Sequence, residues 1–363
     1  MFARNIFLSI WMLSLAIIMS SEVQAMPQQD GDGANLGKDV LIIAHRGASG
    51  ERPEHTLASY ERAIDQGADY VEPDLVFTKD GILVARHENA ITDTTDVADH
   101  PEFADRKTSK TIDGHALTGW FTEDFTLAEL RTLRARERLP ELRRSSADFD
   151  GLFQIPTFDE IIALVRVKEN ETGRTIGIYP ETKHPSYFEG IGLSFDGPLL
   201  KTLHNAGYVS ADAPIFIQSF EIDNLRRLDK LTDIRLIQLI RVAPNPADHP
   251  ELDYKMMTSA SGLKDIAQYA DGIGVQKTLV LPRGDDDRSN APSSLVADAH
   301  MAGLEVHIWT LRRENIFLPA EYRQGNEPQT IGDFAGEIAA FVAAGVDGIF
   351  TDNTKEVVSA LRD

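Results

Sequence analysis

Glu72 and Asp74 stand two residues apart in one apolar run, and a third acid, Glu181, closes a later one. In an extended strand residues two apart point to the same face, so Glu72 and Asp74 present their carboxylates together. Carboxylates seldom enter a buried strand unless they are paired or hold a metal. Glu72, Asp74 and Glu181 converging read as an all-oxygen site for a hard divalent cation, Ca²⁺ first and Mg²⁺ second. Zinc is disfavoured, because the chain has no cysteine and only His45 and His87 are histidines near these acids. An imidazole titrates near neutrality, so His45 and His87 suit general acid–base work. Arg46 offers a fork for two phosphate oxygens and Lys183 a point charge. A cation, two imidazoles, a guanidinium and an ammonium around one cavity suit phosphoryl transfer to water or a hydroxyl. Singly, each acid reads equally well as half of a salt bridge, and both bases as its partners. His100, His115, His184, His204, His249 and His300 read as surface or satisfied core groups.

A hairpin supplies the first means of gathering these groups. Asp80-Gly81 between two apolar runs is a strong short-range hairpin signal. With those two as the loop, Lys79 faces Ile82, Val76 faces Ala85, and Asp74 faces His87. Directly paired residues share a face, so the imidazole joins the two carboxylates. Pro73, which lacks an N–H, is the weak point of that strand.

From residue 39 onward short apolar strands alternate with amphipathic helices, the mark of an α/β fold with parallel strands. Strands starting at Val40, Tyr70, Ile176, Ile215, Ile234, Gly272, Glu305 and Gly348 each precede a helix. That pattern predicts a closed (β/α)8 TIM barrel, one domain over residues 39–363, with its working residues at the strands' C-terminal ends. Those ends read His45-Arg46, Glu72, Asp74, Glu181, Lys183, Gln218-Ser219, Gln276-Lys277, Trp309 and Thr351-Asp352. Trp309 there could lay its ring on an apolar part of a substrate or on a cation. Residues 89–125 are polar without a sustained period, and an inserted subdomain is expected over about 89–155.

The net charge of −21 argues against nucleic acid and against anionic membranes. At the N-terminus Arg4, an apolar run over residues 6–19, and Val23 and Ala25 describe a secretory signal peptide, residues 1–25. The run is shorter than a spanning helix, so no stable membrane insertion is expected. Residues 26–38 read as a flexible lead-in.

At His45-Arg46-Gly47, Pro53-Glu54-His55-Thr56, the run GADYVEPD at 67–74 and Thr78-Lys79-Asp80-Gly81 through His87, the chain resembles the glycerophosphodiester phosphodiesterase family. Ile178-Tyr179-Pro180-Glu181-Thr182-Lys183 and Gln218-Ser219-Phe220 look closest to its exported bacterial branch. The resemblance implies a (β/α)8 barrel with an inserted subdomain. It also implies hydrolysis of glycerophosphodiesters such as glycerophosphocholine to glycerol 3-phosphate and an alcohol, in the periplasm. By the same likeness Glu72, Asp74 and Glu181 are metal ligands, His45 and His87 the acid–base pair, and Arg46 a phosphate holder. Glu54 takes a supporting place, and Lys183, Gln218 and Trp309 complete the substrate contacts. Glu88 departs from the pattern, standing where many members carry Asp. Two rivals are weaker. A phospholipase-D-like barrel on intact lipid needs an apolar membrane-facing loop, which no insertion supplies. A non-catalytic phosphate-ester-binding barrel predicts loss of a ligand or a histidine, and all five are present.

Overall fold

Runs such as LIIAH and RLIQLI, apolar at nearly every position, suit strands buried on both faces. The computed structural model describes residues 40–363 apart from residue 244, so the expected leader and lead-in lie outside the described residues. The strands are β1 (Leu41–His45), β2 (Tyr70–Glu72), β3 (Asp74–Phe77), β4 (Leu83–Ala85), β5 (Thr108–Ile112), β6 (His115–Gly119), β7 (Gly177–Ile178), β8 (Glu181–Thr182), β9 (Phe216–Ser219), β10 (Arg235–Ile240), β11 (Gly272–Gln276), β12 (Glu305–Leu311) and β13 (Gly348–Thr351).

Parallel pairing runs from β1 to β2, β2 to β7, β3 to β8, then through β9, β10, β11 and β12 to β13, which pairs back with β1. The ring therefore closes, with β2–β3 and β7–β8 each serving as one barrel strand cut in two. The cuts fall at Pro73 and at Tyr179-Pro180, where proline cannot donate to the ladder. The pairs Val71↔Ile178 and Asp74↔Glu181 keep one register across both cuts, which sets the two prolines side by side. Their carbonyls still accept, from Glu181 N and Gln218 N, each at 2.9 Å. All three candidate ligands lie at this level. Beneath them, Ile43, Tyr70, Tyr179, Phe216, Ile237 and Phe350 plug the barrel.

The hairpin differs from the expected register. β3 and β4 pair as Leu75↔Ala85, Val76↔Val84 and Phe77↔Leu83, so the loop is three residues, Lys79-Asp80-Gly81. Gly81 adopts φ 77°, as the left-handed position of such a loop requires. Asp80 selects this form by accepting from Thr78 Oγ1 at 2.6 Å and from Leu127 N at 2.9 Å. Asp74 consequently lies opposite Arg86, whose N–H donates to the Asp74 carbonyl at 3.0 Å. His87 is delivered from beyond the end of β4, not by the ladder.

Residues 86–157 carry the β5–β6 hairpin and several short helices before the helix Phe158–Thr172. Their Ile91, Val97, Phe103, Phe125, Leu130 and Leu133 belong to the same apolar core as the helix-facing side of the barrel. This stretch docks on the barrel rather than folding about a core of its own.

One backbone position decides where His45 and Arg46 point. After β1 the chain turns with Arg46 at φ 60° and Gly47 at φ 87°, and a Cβ at Gly47 would lie 2.5 Å from Ser59 Oγ. Gly47→Ala is expected to cost roughly 2–4 kcal/mol through strained φ and overpacking, read from the urea midpoint. A cost within 0.5 kcal/mol, about that of an unremarkable surface change, would show that the turn relaxes freely.

Candidate active site

The floor of the site is acidic and dry. Glu72, Asp74 and Glu181 are all buried, and one carboxylate oxygen from each lies within 4.8 Å of the others. Glu72 accepts from Arg46 N at 2.9 Å and from Gln218 Nε2 at 3.0 Å. Asp74 Oδ2 meets His55 Nε2 at 2.9 Å and Arg46 Nε at 3.3 Å, and Glu181 Oε1 lies 3.0 Å from Lys183 Nζ. Burial and the facing Asp74 push Glu72 well above the usual carboxylate range. Burial, with Asp74 adding and Lys183 opposing, carries Glu181 up to about 8. Burial acts on Asp74 in the same direction, but His55 and Arg46 outweigh it and hold Asp74 low. Arg46 and the His55 hydrogen bond thus favour the ionised form of Asp74, while burial disfavours it in Glu72 and Glu181. Full ionisation needs added positive charge, and buried carboxylate oxygens are the donors a hard divalent cation takes.

Two imidazoles look onto the same cavity, a space of about 540 Å³ at the C-terminal ends of the barrel strands. His45 Nδ1 lies 2.6 Å from Asp352 Oδ1. Asp352 is held ionised, since Arg312, Arg143 and His45 outweigh its burial. A carboxylate only accepts, so Nδ1 carries the hydrogen and His45 Nε2 is the free lone pair. Burial and Arg46 bring His45 down to about 4. His87 Nδ1 lies 3.0 Å from Glu88 Oε1, and burial with Arg46 and Lys183 keeps this ring neutral as well.

The predicted residues gather with three differences of role. Arg46, Lys183, Gln218 and Trp309 all line the cavity, but Gln218 spends its amide on Glu72. Trp309 gives its indole N–H to Gly274 O at 3.0 Å and packs edge-on to Phe220. Glu54 does not reach the cavity. It accepts from Arg46 Nη1 at 2.9 Å and from Arg138 Nε at 3.0 Å, and so fixes the Arg46 guanidinium from behind. His184, read from sequence as an ordinary histidine, lines the cavity and bridges Asp113 and Glu88 at 2.6 and 2.7 Å.

Sequence reasoning missed the groups that hold these in place. His55 sits between Asp74 and Tyr60 Oη, 2.7 Å away, and its place in Pro53-Glu54-His55-Thr56 was the available signal. Asp352 was visible as a charged strand end but had no partner assigned. Arg143 joins Asp352 Oδ2 at 2.7 Å to Glu314 at 2.8 Å. Arg86, fully buried, donates to the carbonyls of Glu54, His55 and Thr94. Nothing in the aperiodic stretch after β4 marks either arginine in advance.

A closed (β/α)8 barrel carrying three buried carboxylates, two imidazoles, an arginine and a lysine at one cavity belongs to the class that handles phosphate esters beside a divalent cation. The comparisons give the family. Residues 45–356 match the Glycerophosphoryl diester phosphodiesterase family, and the chain belongs to it. A relative from Arabidopsis thaliana, Glycerophosphodiester phosphodiesterase GDPD6, is 40% identical over 324 residues, covering 86% of this chain and 83% of the relative. Glycerophosphodiester phosphodiesterase of Haemophilus influenzae is 29% identical over 365 residues, 94% of this chain and 95% of its own. The fold resembles a Silicibacter pomeroyi crystal structure, a putative member of the family by its name, with TM-score 0.63 at 21% identity, over 89% of this chain and 93% of that one. It also resembles an Oleispira antarctica phosphodiesterase solved with the product sn-glycerol-3-phosphate, with TM-score 0.57 at 20% identity, over 89% and 97%.

The acidic floor makes a thermodynamic prediction. Glu181 titrates at about 8 in the fold against an ordinary value of 4.5. A raised carboxyl pKa favours the fold below the ordinary value and loses that contribution as pH rises through the folded one. The melting temperature of chelated protein should therefore fall as pH rises from about 4.5 to about 8. Adding a divalent cation should raise it and flatten that slope. Identical slopes with and without cation would remove the metal site. The second imidazole contact is checked separately. Nitrogen-15 spectra should place the His45 hydrogen on Nδ1, and Asp352→Asn should redistribute it between the ring nitrogens.

Proposed function

We propose that this chain hydrolyses glycerophosphodiesters, such as glycerophosphocholine, to glycerol 3-phosphate and an alcohol. One observation carries the reading: His45 and His87 face one cavity lined by Arg46, Lys183, Glu72 and Glu181, with the buried Asp74 behind them completing the three carboxylates. Arg46 and Lys183 hold the phosphodiester anion. His45, its tautomer fixed by Asp352, takes the proton from the attacking oxygen through Nε2. The bound anion offsets Arg46 and Lys183, which together with burial keep the free His87 neutral. His87 beside Glu88 then takes a proton from solvent and delivers it to the leaving alcohol oxygen as the P–O bond breaks, while His45 returns its proton to solvent. Glu54 and Gln218 keep Arg46 and Glu72 in register with the phosphorus.

Glu72, Asp74 and Glu181 would hold the divalent cation, which supplies Lewis-acid charge to a phosphate oxygen. Ca²⁺ is the cation proposed, with Mg²⁺ second, because the donors are carboxylate oxygens without sulfur or nitrogen. The pattern over residues 1–25 supports export, and with the motif at 178–183 a place in the exported bacterial branch, acting in the periplasm. Among the described residues no helix is long and apolar enough to cross a membrane.

Purified protein is expected to release glycerol 3-phosphate from glycerophosphocholine, to stop on chelation, and to recover with Ca²⁺. His45→Ala and His87→Ala should each lower turnover by roughly 10²–10⁴ with melting temperature little changed. Their combined loss should be smaller than the product of the singles, because the two act on one step. Full turnover after exhaustive chelation would remove the cation from the reaction, and wild-type turnover in either variant would remove that histidine.

A further inference from the structure

Resting on the phosphodiesterase reading, we propose that Asp113 and His184 are positioning residues for the general acid. They act on His87 through Glu88, so that the tip of the β5–β6 hairpin sets the ring that serves the leaving alcohol. Each imidazole of the site has one carboxylate at its Nδ1, but the two carboxylates are held differently. Asp352, opposite His45, is buried and tied by Arg143 and Arg312. Glu88 Oε1 stands 3.0 Å from His87 Nδ1, and among the described residues no other group bonds to that nitrogen. The Glu88 side chain is 32% exposed, enough to swing into solvent unless a contact fixes it.

His184 supplies that contact. Its Nε2 lies 2.7 Å from Glu88 Oε2 and its Nδ1 2.6 Å from Asp113 Oδ2. Carboxylates only accept, so a ring between two of them donates from both nitrogens and is the imidazolium. Burial opposes this charge, but Asp113 and Glu88 outweigh it and carry His184 up to about 9. Against its own burial, Glu88 is held well below the usual carboxylate range by His184 and His87. Along Asp113, His184, Glu88 and His87 acceptors and donors alternate, and the orientation of each fixes the next. The series turns His87 Nδ1 to Glu88 and leaves Nε2 as the nitrogen that takes up the proton and delivers it.

The backbone gives the series independent support. His184 adopts φ 48° and ψ 49°, in the left-handed region, directly before Pro185. Residues other than glycine enter that region at a cost, and a residue before proline is biased toward extended backbone. Such strain persists only where the surroundings hold it, and here two acids from distant parts of the chain grip the ring. Asp113 is left-handed as well, at φ 49°, with Gly114 at 79°. Among the described residues their hairpin pairs with no further strand, and only Ile112 and Gly119 of its two strands are buried. A lone two-stranded hairpin is marginal in water, yet this one carries a carboxylate at its tip into the wall of the catalytic cavity.

The test sets a poor leaving group against a good one. Glycerophosphocholine needs a proton on its leaving oxygen, whereas the p-nitrophenyl ester of glycerol 3-phosphate expels a stabilised anion and needs no acid. The variants are Asp113→Ala and His184→Asn, the second chosen because asparagine tolerates left-handed backbone. In each, kcat for glycerophosphocholine relative to the p-nitrophenyl ester should fall roughly 10–100-fold, the range for removing a group that orients another. KM and melting temperature should change little. Added to His87→Ala, either substitution should lower kcat by less than about twofold more, because its effect runs through the missing ring. Cleavage of neither ester by the wild type would sink the phosphodiesterase reading and this inference with it. Equal losses on both esters, or a loss confined to KM, would overturn the inference alone. A full multiplicative loss on top of His87→Ala would overturn it too, since neither residue would then act through His87.

Discussion

Three carboxylates buried within 4.8 Å of one another repel, and the rest of the site is arranged around that repulsion. Taken alone they would protonate or unfold the strand ends that carry them. Arg46 and His55 press on Asp74, Lys183 presses on Glu181, and Glu72 has only the neutral donors Arg46 N and Gln218 Nε2 in hydrogen-bond reach, so the three acids still lack full compensation. The deficit is the binding energy offered to a cation. It also explains why Glu54, itself held by Arg138, stands behind Arg46: a guanidinium beside Asp74 must not drift wholly onto it.

The barrel sets the acids at one height by a backbone device. Pro73 and Pro180 lie side by side on adjacent strands and interrupt the ladder where ligand side chains replace hydrogen bonds as the organising contacts. Below this level the interior is aromatic and apolar, with His307 Nδ1 answered by Tyr179 Oη at 2.8 Å. Above it the wall mixes ionisable side chains with aromatic ones such as Phe220, Tyr254, Trp309 and Phe317. The change within one or two residues along each strand keeps water out of the core while admitting a polar substrate.

Much of this was legible in the chain. The eight-unit repeat was readable because parallel strands buried on both faces are written as unbroken apolar runs, and the motif acids and histidines stand at their ends. The hairpin register was misjudged by one residue. Asp-Gly suits both two- and three-residue loops, and the choice is made by Leu127, 47 positions away, through Asp80. His87 reached the cavity regardless, because the chain leaves the ladder at Ala85. Arg138, Arg143 and Asp113 were not legible, since long-range ion pairs leave no periodicity. His184 looked ordinary because its two acids, Glu88 and Asp113, come from different parts of the fold.

The bond between His45 and Asp352 spans 307 residues, and Arg143 ties the same carboxylate to the middle of the chain. The first barrel strand therefore carries the His45 imidazole, and the group that orients it follows the last, β13. Until the ring has closed, His45 has no fixed tautomer and the acids have no enclosing wall. The proton arrangement at His45 is thus a property of the whole closed barrel, and no contiguous half of the chain can hold it alone.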